Sequence, residues 1–231
     1  MAARRKPTAP CGGKHERLAR SAGYDHVAGV DEAGAGSLFG AVFAAAVVLN
    51  PERPIRGLRD SKLLDPERRE LLAERIRERA VAWAVAAADV FEIDRLNIYQ
   101  ARRLAMRRAV ERLSPASNYL LVDALRLDLP IVQEAIIHGD MHCQCIAAAS
   151  ILAKTGRDEA MCKWDAVFPQ YGLARHKGYA TEDHVAALRQ HGPTLLHRFS
   201  FEPVRAACQY DLWSGYDGQA PVVEEPLAAS A

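Results

Sequence analysis

Short apolar runs bounded by turn residues recur along the chain. Runs of this kind, interrupted by Gly, Pro and polar clusters, are typical of buried strands. The pattern therefore predicts five strands, at residues 26–30, 41–49, 80–90, 119–122 and 135–138.

Segments with helical periodicity lie between and after these strands. The clearest start is Asp65-Pro66, because Asp is a favoured N-cap residue and Pro suits the first helical position. Apolar residues at helical spacing predict further helices at residues 97–113, 146–167 and 181–191. The succession of strands and helices indicates an α/β fold.

Composition sets the expected domain and its boundaries. The chain has 231 residues, 49% of them hydrophobic, which is enough to bury the core of one large domain. We expect that domain at residues 23–213, with a flexible basic extension at 1–22 and a flexible tail at 214–231. No apolar run approaches the roughly 20 residues of a membrane span, so we predict a cytoplasmic protein with no membrane partner. We also expect a monomer.

Net charge gives no global argument for a nucleic-acid partner, because 30 Lys and Arg residues balance 29 Asp and Glu residues. Any basic surface must be local. The predicted helix at 97–113 carries arginines along one face, which are either a solvated surface or candidate phosphate contacts. Lys154 and Arg157 on the helix at 146–167 allow the same two interpretations.

The five cysteines are scattered and odd in number, which fits reduced thiols better than a disulfide framework. Their one cluster is His142-Cys143-Gln144-Cys145. A structural zinc site needs four ligands at recognisable spacing, and no second pair is evident. Small buried residues at the start of a helix are the favoured interpretation.

A glycine-rich stretch at residues 29–36 follows the first strand and contains the adjacent acids Asp31 and Glu32. Taken alone, such a turn is usually only a turn, and adjacent acids usually form a solvated corner. Two later strands, however, are also followed by acids, Asp123 and Asp140. Functional groups of open α/β sheets gather where strands end, so these four carboxylates are expected to lie together.

Clustered carboxylates repel one another and are tolerable chiefly when a hard divalent cation neutralises them. Ligand sets made only of oxygen favour Mg²⁺ or Mn²⁺ over zinc. Two such ions about 4 Å apart can activate a water and stabilise a leaving oxygen in phosphodiester cleavage. The carboxylates therefore favour a two-metal hydrolase.

Seven segments in order resemble motifs of the ribonuclease HII family, the type 2 ribonucleases H. The resemblance runs from about Val27 to Phe201. Its motifs lie at residues 29–34, 60–62, 93–98, 121–123, 139–154, 176–179 and 197–201.

The resemblance implies an α/β, RNase H-like fold with a five-stranded mixed sheet flanked by helices and a C-terminal helical extension. It also implies metal-dependent cleavage of the RNA strand of RNA/DNA hybrids, and of single ribonucleotides embedded in duplex DNA. The products would carry 3′-hydroxyl and 5′-phosphate ends, and the cofactor would be two Mg²⁺ or Mn²⁺ ions.

Site residues follow from the same resemblance. The family's metal-binding and catalytic carboxylates fall on Asp31, Glu32, Asp123 and Asp140. Its element for sensing the 2′-hydroxyl falls on Gly34-Ala35-Gly36, and its sugar-stacking tyrosine falls on Tyr179. Further expected nucleic-acid contacts are Lys62 and Lys177.

The chain also departs from the family pattern. Ala35 stands where the family usually has a basic residue, Phe39 lies in an altered segment after the turn, and Ala124 follows Asp123 where Gly is usual. Because Ala35 supplies no charged phosphate contact, we predict a hybrid nuclease with weakened or altered specificity for single embedded ribonucleotides.

Two other function classes remain open from the sequence. One is a catalytically weak or inactive protein of the same fold that binds RNA/DNA hybrids. The other is a different two-metal nuclease, such as a junction resolvase, which would need neither Tyr179 nor the glycines of the turn.

Overall fold

The computed structural model describes residues 11–213. Its centre is a five-stranded mixed sheet with the strand order β3-β2-β1-β4-β5. The first three strands form an antiparallel meander, and β4 and β5 run parallel to β1. This confirms the predicted mixed sheet. The strands are β1 Val27–Ala33, β2 Val42–Val48, β3 Ala82–Ala88, β4 Tyr119–Asp123 and β5 Val132–Ile136.

Helices cover both faces of the sheet. On one face α4 packs against the buried residues of β1 to β4, and on the other α6 packs against β1 and β2 while α2 packs against α6. A third apolar cluster joins the C-terminal helices to the end of α6. The helices are α1 Lys14–Ser21, α2 Pro66–Arg79, α3 Val90–Leu96, α4 Ile98–Glu111, α5 Gly139–His142, α6 Gln144–Val167, α7 Leu173–His176, α8 Glu182–His191 and α9 Glu202–Trp213.

Local capping places the predicted helix starts. The Asp65 carboxylate accepts the backbone N–H of Arg68 at 2.8 Å, with Pro66 at the first helical position of α2. The Thr181 hydroxyl caps α8 in the same way. These starts depend on neighbouring residues, which is why the pattern located them.

Helix α6 lies directly on β1, and Gly29 makes this contact possible. A Cβ atom at Gly29 would lie 2.1 Å from the backbone carbon of Cys145. Both Cys143 and Cys145 are fully buried at the start of α6, as the non-zinc interpretation predicts.

The prediction that acids follow the ends of three strands is wrong in two places. Asp31 and Glu32 lie inside β1, because β2 continues to pair with them after β4 has stopped pairing at Val30. The last strand occupies Val132–Ile136 rather than 135–138. Its polar, partly exposed residues hide it from an apolar-run search, since β5 lies at the edge of the sheet.

The prediction of a flexible extension through residue 22 is also wrong for the part of the chain that the structure describes. Helix α1 packs its buried Ala19 with Val27 and Ile146, and Cys11 is buried as well. The charged sequence of α1 obscured this apolar contact. Residues 1–10 and the predicted tail at 214–231 lie outside the described residues.

None of the helices formed by residues 11–213 is long and apolar enough to cross a membrane.

Candidate active site

Strand register brings Asp31, Glu32 and Asp123 to one end of the sheet. Val30 of β1 pairs with Val122 of β4, so Asp31 and Asp123 follow at the same level on adjacent parallel strands. Parallel neighbours lie about 4.8 Å apart. Asp31 is only 6% exposed, and its Oδ1 accepts the backbone N–H of Glu32 at 2.7 Å.

Asp140 joins this cluster from α5, the short helix that follows β5. The N–H of Gly139 donates to Oδ1 of Asp123 at 2.8 Å, which ties the start of α5 to the end of β4. A Cβ atom at Gly139 would lie 2.5 Å from Cδ1 of Ile146, so any other residue there would require the end of the Ile146 side chain to move. Asp140 is thus placed by a turn against its neighbours rather than by a strand end.

Burial and the charges of neighbouring acids shift the pKa values of these carboxylates. Burial, followed by the charges of Glu32 and Asp123, raises the pKa of Asp31 well above its ordinary value. Burial also raises the pKa of Asp140, with further contributions from Asp60 and Asp123. Each charge disfavours ionisation of the others, so a bound cation would stabilise the fully ionised set.

Arg102 of α4 is the strongest partner of Glu32. Its Nη2 lies 2.5 Å from Oε1 of Glu32, while Oε2 of Glu32 is buried without a hydrogen-bond partner. Burial raises the pKa of Glu32, and Arg102 opposes that shift. This arginine belongs to the basic helix face noted in the sequence, but its position beside the carboxylates was not predicted.

The oxygen atoms of the four carboxylates suit a hard divalent ion, although the side chains do not yet stand at metal-ligand distances from one another. Within residues 11–213, no group of three or more His, Cys, Asp or Glu side chains already stands at metal-binding spacing. Glu32 is instead engaged by Arg102, with one buried oxygen left over. Four neighbouring carboxylates with an unpaired buried oxygen fit Mg²⁺ or Mn²⁺.

Lys62 lies beside the carboxylates and Lys177 does not. Burial alone would lower the pKa of Lys62, but Asp60, Asp140 and the other carboxylates outweigh burial and raise it. The ammonium of Lys177 contacts the Cys162 thiol at 3.2 Å, on the surface of α6. The structure therefore groups Lys62, but not the Lys177 ammonium, with the acids.

Arg198 hydrogen-bonds to the backbone of the glycine-rich turn that follows β1. This fully buried guanidinium donates to the carbonyls of Gly34 at 2.9 Å, Ala35 at 2.8 Å and Gly40 at 2.9 Å. Gly34 has a φ of 90°, and a Cβ atom there would lie 2.9 Å from Nε of Arg157. Glycine is required at this position both for its conformation and for space.

Tyr179 stands next to this turn. A Cβ atom at Gly36 would lie 3.8 Å from Cε1 of Tyr179, and Ser37 pairs with Tyr179 in an isolated antiparallel bridge. The tyrosine ring is 40% exposed and lies over the Arg157 guanidinium, 4.5 Å from ring centroid to Cζ. Nζ of Lys154 also lies over this ring, 6.0 Å from its centroid, and the exposed part of Tyr179 remains accessible to a ligand.

Two arginines that shape the site were not assigned these roles from the sequence. Arg157 was expected on a helix surface or facing nucleic acid, yet it is fully buried and donates to the Lys177 carbonyl. Arg198 lies in the last family-like segment, but nothing local shows what it contacts. An arginine within a mostly apolar stretch was the one available signal.

Comparison with known proteins identifies the family. The model of the family "Ribonuclease HII" matches residues 28–204. A ribonuclease HII of Solibacter usitatus is 63% identical over 209 residues, covering 88% of this chain and 92% of the relative.

Solved structures share the fold. Ribonuclease H2 from Pyrococcus horikoshii superposes with a TM-score of 0.67 at 24% identity, covering 79% of this chain and 97% of that one. Bst-RNase HIII in complex with Mn²⁺ gives a TM-score of 0.63 at 20% identity, covering 90% and 75%. With its family match, its close relative and this shared fold, the chain belongs to the ribonuclease HII family, whose members are metal-dependent endoribonucleases.

Proposed function

We propose that this chain cleaves the RNA strand of RNA/DNA hybrids, using Asp31, Glu32, Asp123 and Asp140 to hold two divalent ions. The observation that carries the proposal is the position of the acids beside a turn that abuts an exposed tyrosine. When bound, the ions would supply Lewis-acid activation of water and stabilise the leaving oxygen, which yields 3′-hydroxyl and 5′-phosphate products.

Mg²⁺ and Mn²⁺ are the proposed ions. All the proposed ligands are oxygens, which these ions prefer. The related Bst-RNase HIII was solved with Mn²⁺. We further propose that the protein acts as a cytoplasmic monomer, with nucleic acid as its partner.

Recognition of the ribose is proposed to occur at Gly34-Ala35-Gly36. Arg198 draws the carbonyls of Gly34 and Ala35 inward. In a planar trans peptide the N–H points opposite to the carbonyl, so the N–H groups of Ala35 and Gly36 face away from Arg198. Two outward donors suit a 2′-hydroxyl or an adjacent phosphate, and Tyr179 is placed to stack on the neighbouring sugar.

The test compares cleavage of two labelled duplexes in Mg²⁺ and in Mn²⁺. One is a full RNA/DNA hybrid, and the other is a DNA duplex with a single embedded ribonucleotide. We expect cleavage of the hybrid, abolished by Asp123→Asn. If the wild-type chain binds the hybrid but never cuts it, the chain is a binding protein and the proposed activity is wrong.

Ala35 is proposed to weaken cleavage at the single ribonucleotide, because it provides no charged phosphate contact. Its partly exposed position can accept a longer side chain. Ala35→Arg should raise cleavage of the single-ribonucleotide duplex by about tenfold, as expected for one charge-assisted hydrogen bond. Ala35→Met is the matched control for length without charge, and an equal gain with Met would refute the role of charge.

A further inference from the structure

Three buried histidines lie beneath Tyr179. His184 and His197 are fully buried, and His176 is 9% exposed. The rings of His176 and His184 stack with centroids 4.5 Å apart, and Nε2 of His184 lies 3.3 Å from Nε2 of His197. Nothing in the proposed chemistry uses these imidazoles directly, so their arrangement needs another explanation.

Their backbone partners determine where the protons of His184 and His197 lie. The Thr194 N–H, which can only donate, points at Nδ1 of His197 at 3.0 Å. The Tyr179 carbonyl, which can only accept, lies 3.0 Å from Nδ1 of His184. Neutral His197 therefore carries its proton on Nε2 and donates to Nε2 of His184, which carries its own proton on Nδ1.

This chain of hydrogen bonds works only when both rings are neutral. A second proton on His184 would set two N–H groups against each other, and one on His197 would face the Thr194 N–H. Burial lowers the pKa of both histidines, that of His197 to about 3 with a further contribution from His184. Both rings are therefore neutral near pH 7.

His176 holds the preceding peptide. The Gly178 N–H donates to Nδ1 of His176 at 3.1 Å, and Nε2 of His176 lies 2.6 Å from the Tyr171 carbonyl. The Gly178 carbonyl accepts the N–H of Leu38 at 2.8 Å. Hydrogen bonds thus fix the backbone on both sides of the Tyr179 α-carbon. The imidazoles of His176 and His184 make some of these bonds, and the segment after the glycine-rich turn makes another.

His197 also contacts that segment. Its ring meets Phe39 edge-on, with centroids 4.9 Å apart, and Phe39 and His197 pair in an isolated antiparallel bridge. His197 therefore contacts the segment after the glycine-rich turn directly. It contacts Tyr179, which faces that turn, indirectly through His184. The departure from the family pattern at Phe39 falls at this junction.

We propose that His197 and His184 are positioning residues that set the Tyr179 ring relative to the Gly34–Gly36 turn through a directed hydrogen-bond relay. The proposal rests on the proposed function, in which Tyr179 stacks on the substrate sugar. The imidazoles never touch substrate, and their effect on the nucleic acid passes entirely through Tyr179.

The test is a double-substitution cycle on hybrid binding. All variants carry Asp123→Asn, so that binding of a fluorescein-labelled RNA/DNA hybrid is measured without turnover. His184→Leu removes the imidazole donor to the Tyr179 carbonyl and leaves that carbonyl only the Thr181 N–H at 2.8 Å, whereas His184→Asn keeps an amide N–H where Nδ1 stood. His197→Leu keeps His184 but removes the His197 N–H that donates to Nε2 of His184. This variant replaces His184→Leu in the test if His184→Leu does not fold.

We expect His184→Leu to weaken binding by about tenfold, within the range for loss of an aromatic stacking contact. His184→Asn should lose much less, and His184→Leu should have no effect once Tyr179→Ala is present. Amide hydrogen exchange at residues 177–181 should rise in the Leu variants and stay low in the Asn variant.

Two results would overturn the relay: an equal loss of binding with and without Tyr179, or unchanged exchange at residues 177–181 in the Leu variants. Failure of the proposed function has a separate signature, because the Asp123→Asn chain would then bind hybrid that the wild-type chain leaves uncut. If the Asp123→Asn chain with no further substitution does not bind the hybrid, both proposals are overturned.

Discussion

Replacing Arg198 by methionine tests how the glycine-rich turn is held. Arg198 is fully buried and donates to three carbonyls, of Gly34, Ala35 and Gly40, and its guanidinium lies 5.2 Å from the Phe201 ring centroid. Methionine fills much of the same space with no donor. The variant should therefore leave the Ala35 and Gly40 carbonyls unpaired, while the Gly34 carbonyl keeps only the Ser37 N–H at 3.3 Å.

The expected loss follows from two opposing terms. Each buried polar group left unpaired costs about 1–3 kcal/mol. The variant also avoids the several kcal/mol needed to bury a charged guanidinium, which offsets part of that loss. We expect the free energy of unfolding to fall by about 3 kcal/mol, and hybrid cleavage to fall by about tenfold or more as the turn loses its orientation.

Urea unfolding followed by circular dichroism measures the first effect, and cleavage of the labelled hybrid measures the second. Arg205→Met is the matched control, because Arg205 is exposed on α9 and should change stability by less than about 0.5 kcal/mol. A loss below about 1 kcal/mol for Arg198→Met, with cleavage unchanged, would refute the assigned role.

Three further predictions concern other parts of the fold. Gly29→Ala should prevent folding or lower the free energy of unfolding by several kcal/mol, since its Cβ atom would lie 2.1 Å from a backbone atom. Gly156→Ala is the control, because its Cβ atom would make only ordinary contacts at 3.7 Å. In thermal melts this control should be neutral or stabilising. Glu16→Ala should lower the free energy of unfolding by about 1–2 kcal/mol, because Oε1 of this buried acid accepts the Cys145 N–H at the start of α6. Leu18 is 58% exposed on the same helix, so the control Leu18→Ala should lower that free energy much less. Equal losses in the two variants would count against the capping role of Glu16. Because burial lowers the pKa of His197 to about 3, the unfolded chain alone takes up its proton below about pH 6.5, so the stabilising contribution of neutral His197 is complete above that pH and is lost as the pH falls. Urea unfolding should show about 2 kcal/mol of this loss between pH 7 and pH 5, less in His197→Gln, and an identical pH dependence in the two proteins would contradict the assignment.

The elements of this fold could be predicted because their signals are local. The Asp65 cap and Thr181 cap lie within a few residues of the helices they begin, and buried strands such as β2 are apolar throughout. The edge strand β5 was misplaced since its partly exposed residues carry no apolar run. Helix α1 was missed because its sequence is mostly charged and only a few residues pack inward.

The candidate site divides in the same way. The sequence by itself determined the fold class, the family resemblance and the identity of the four acids, since each of these depends on residue types in short segments. Only the tertiary structure decided that Arg102 pairs with Glu32, and that a histidine relay lies beneath Tyr179.

Arg198 shows why this division is physical. The arginine and the Gly34 carbonyl that it holds are separated by 164 positions. Because chain folding alone brings such groups into hydrogen-bond distance, no spacing pattern encodes their contact. The sequence determined which groups are present, and the packing of the C-terminal helices against α6 and the segment after the glycine-rich turn decided which of them meet.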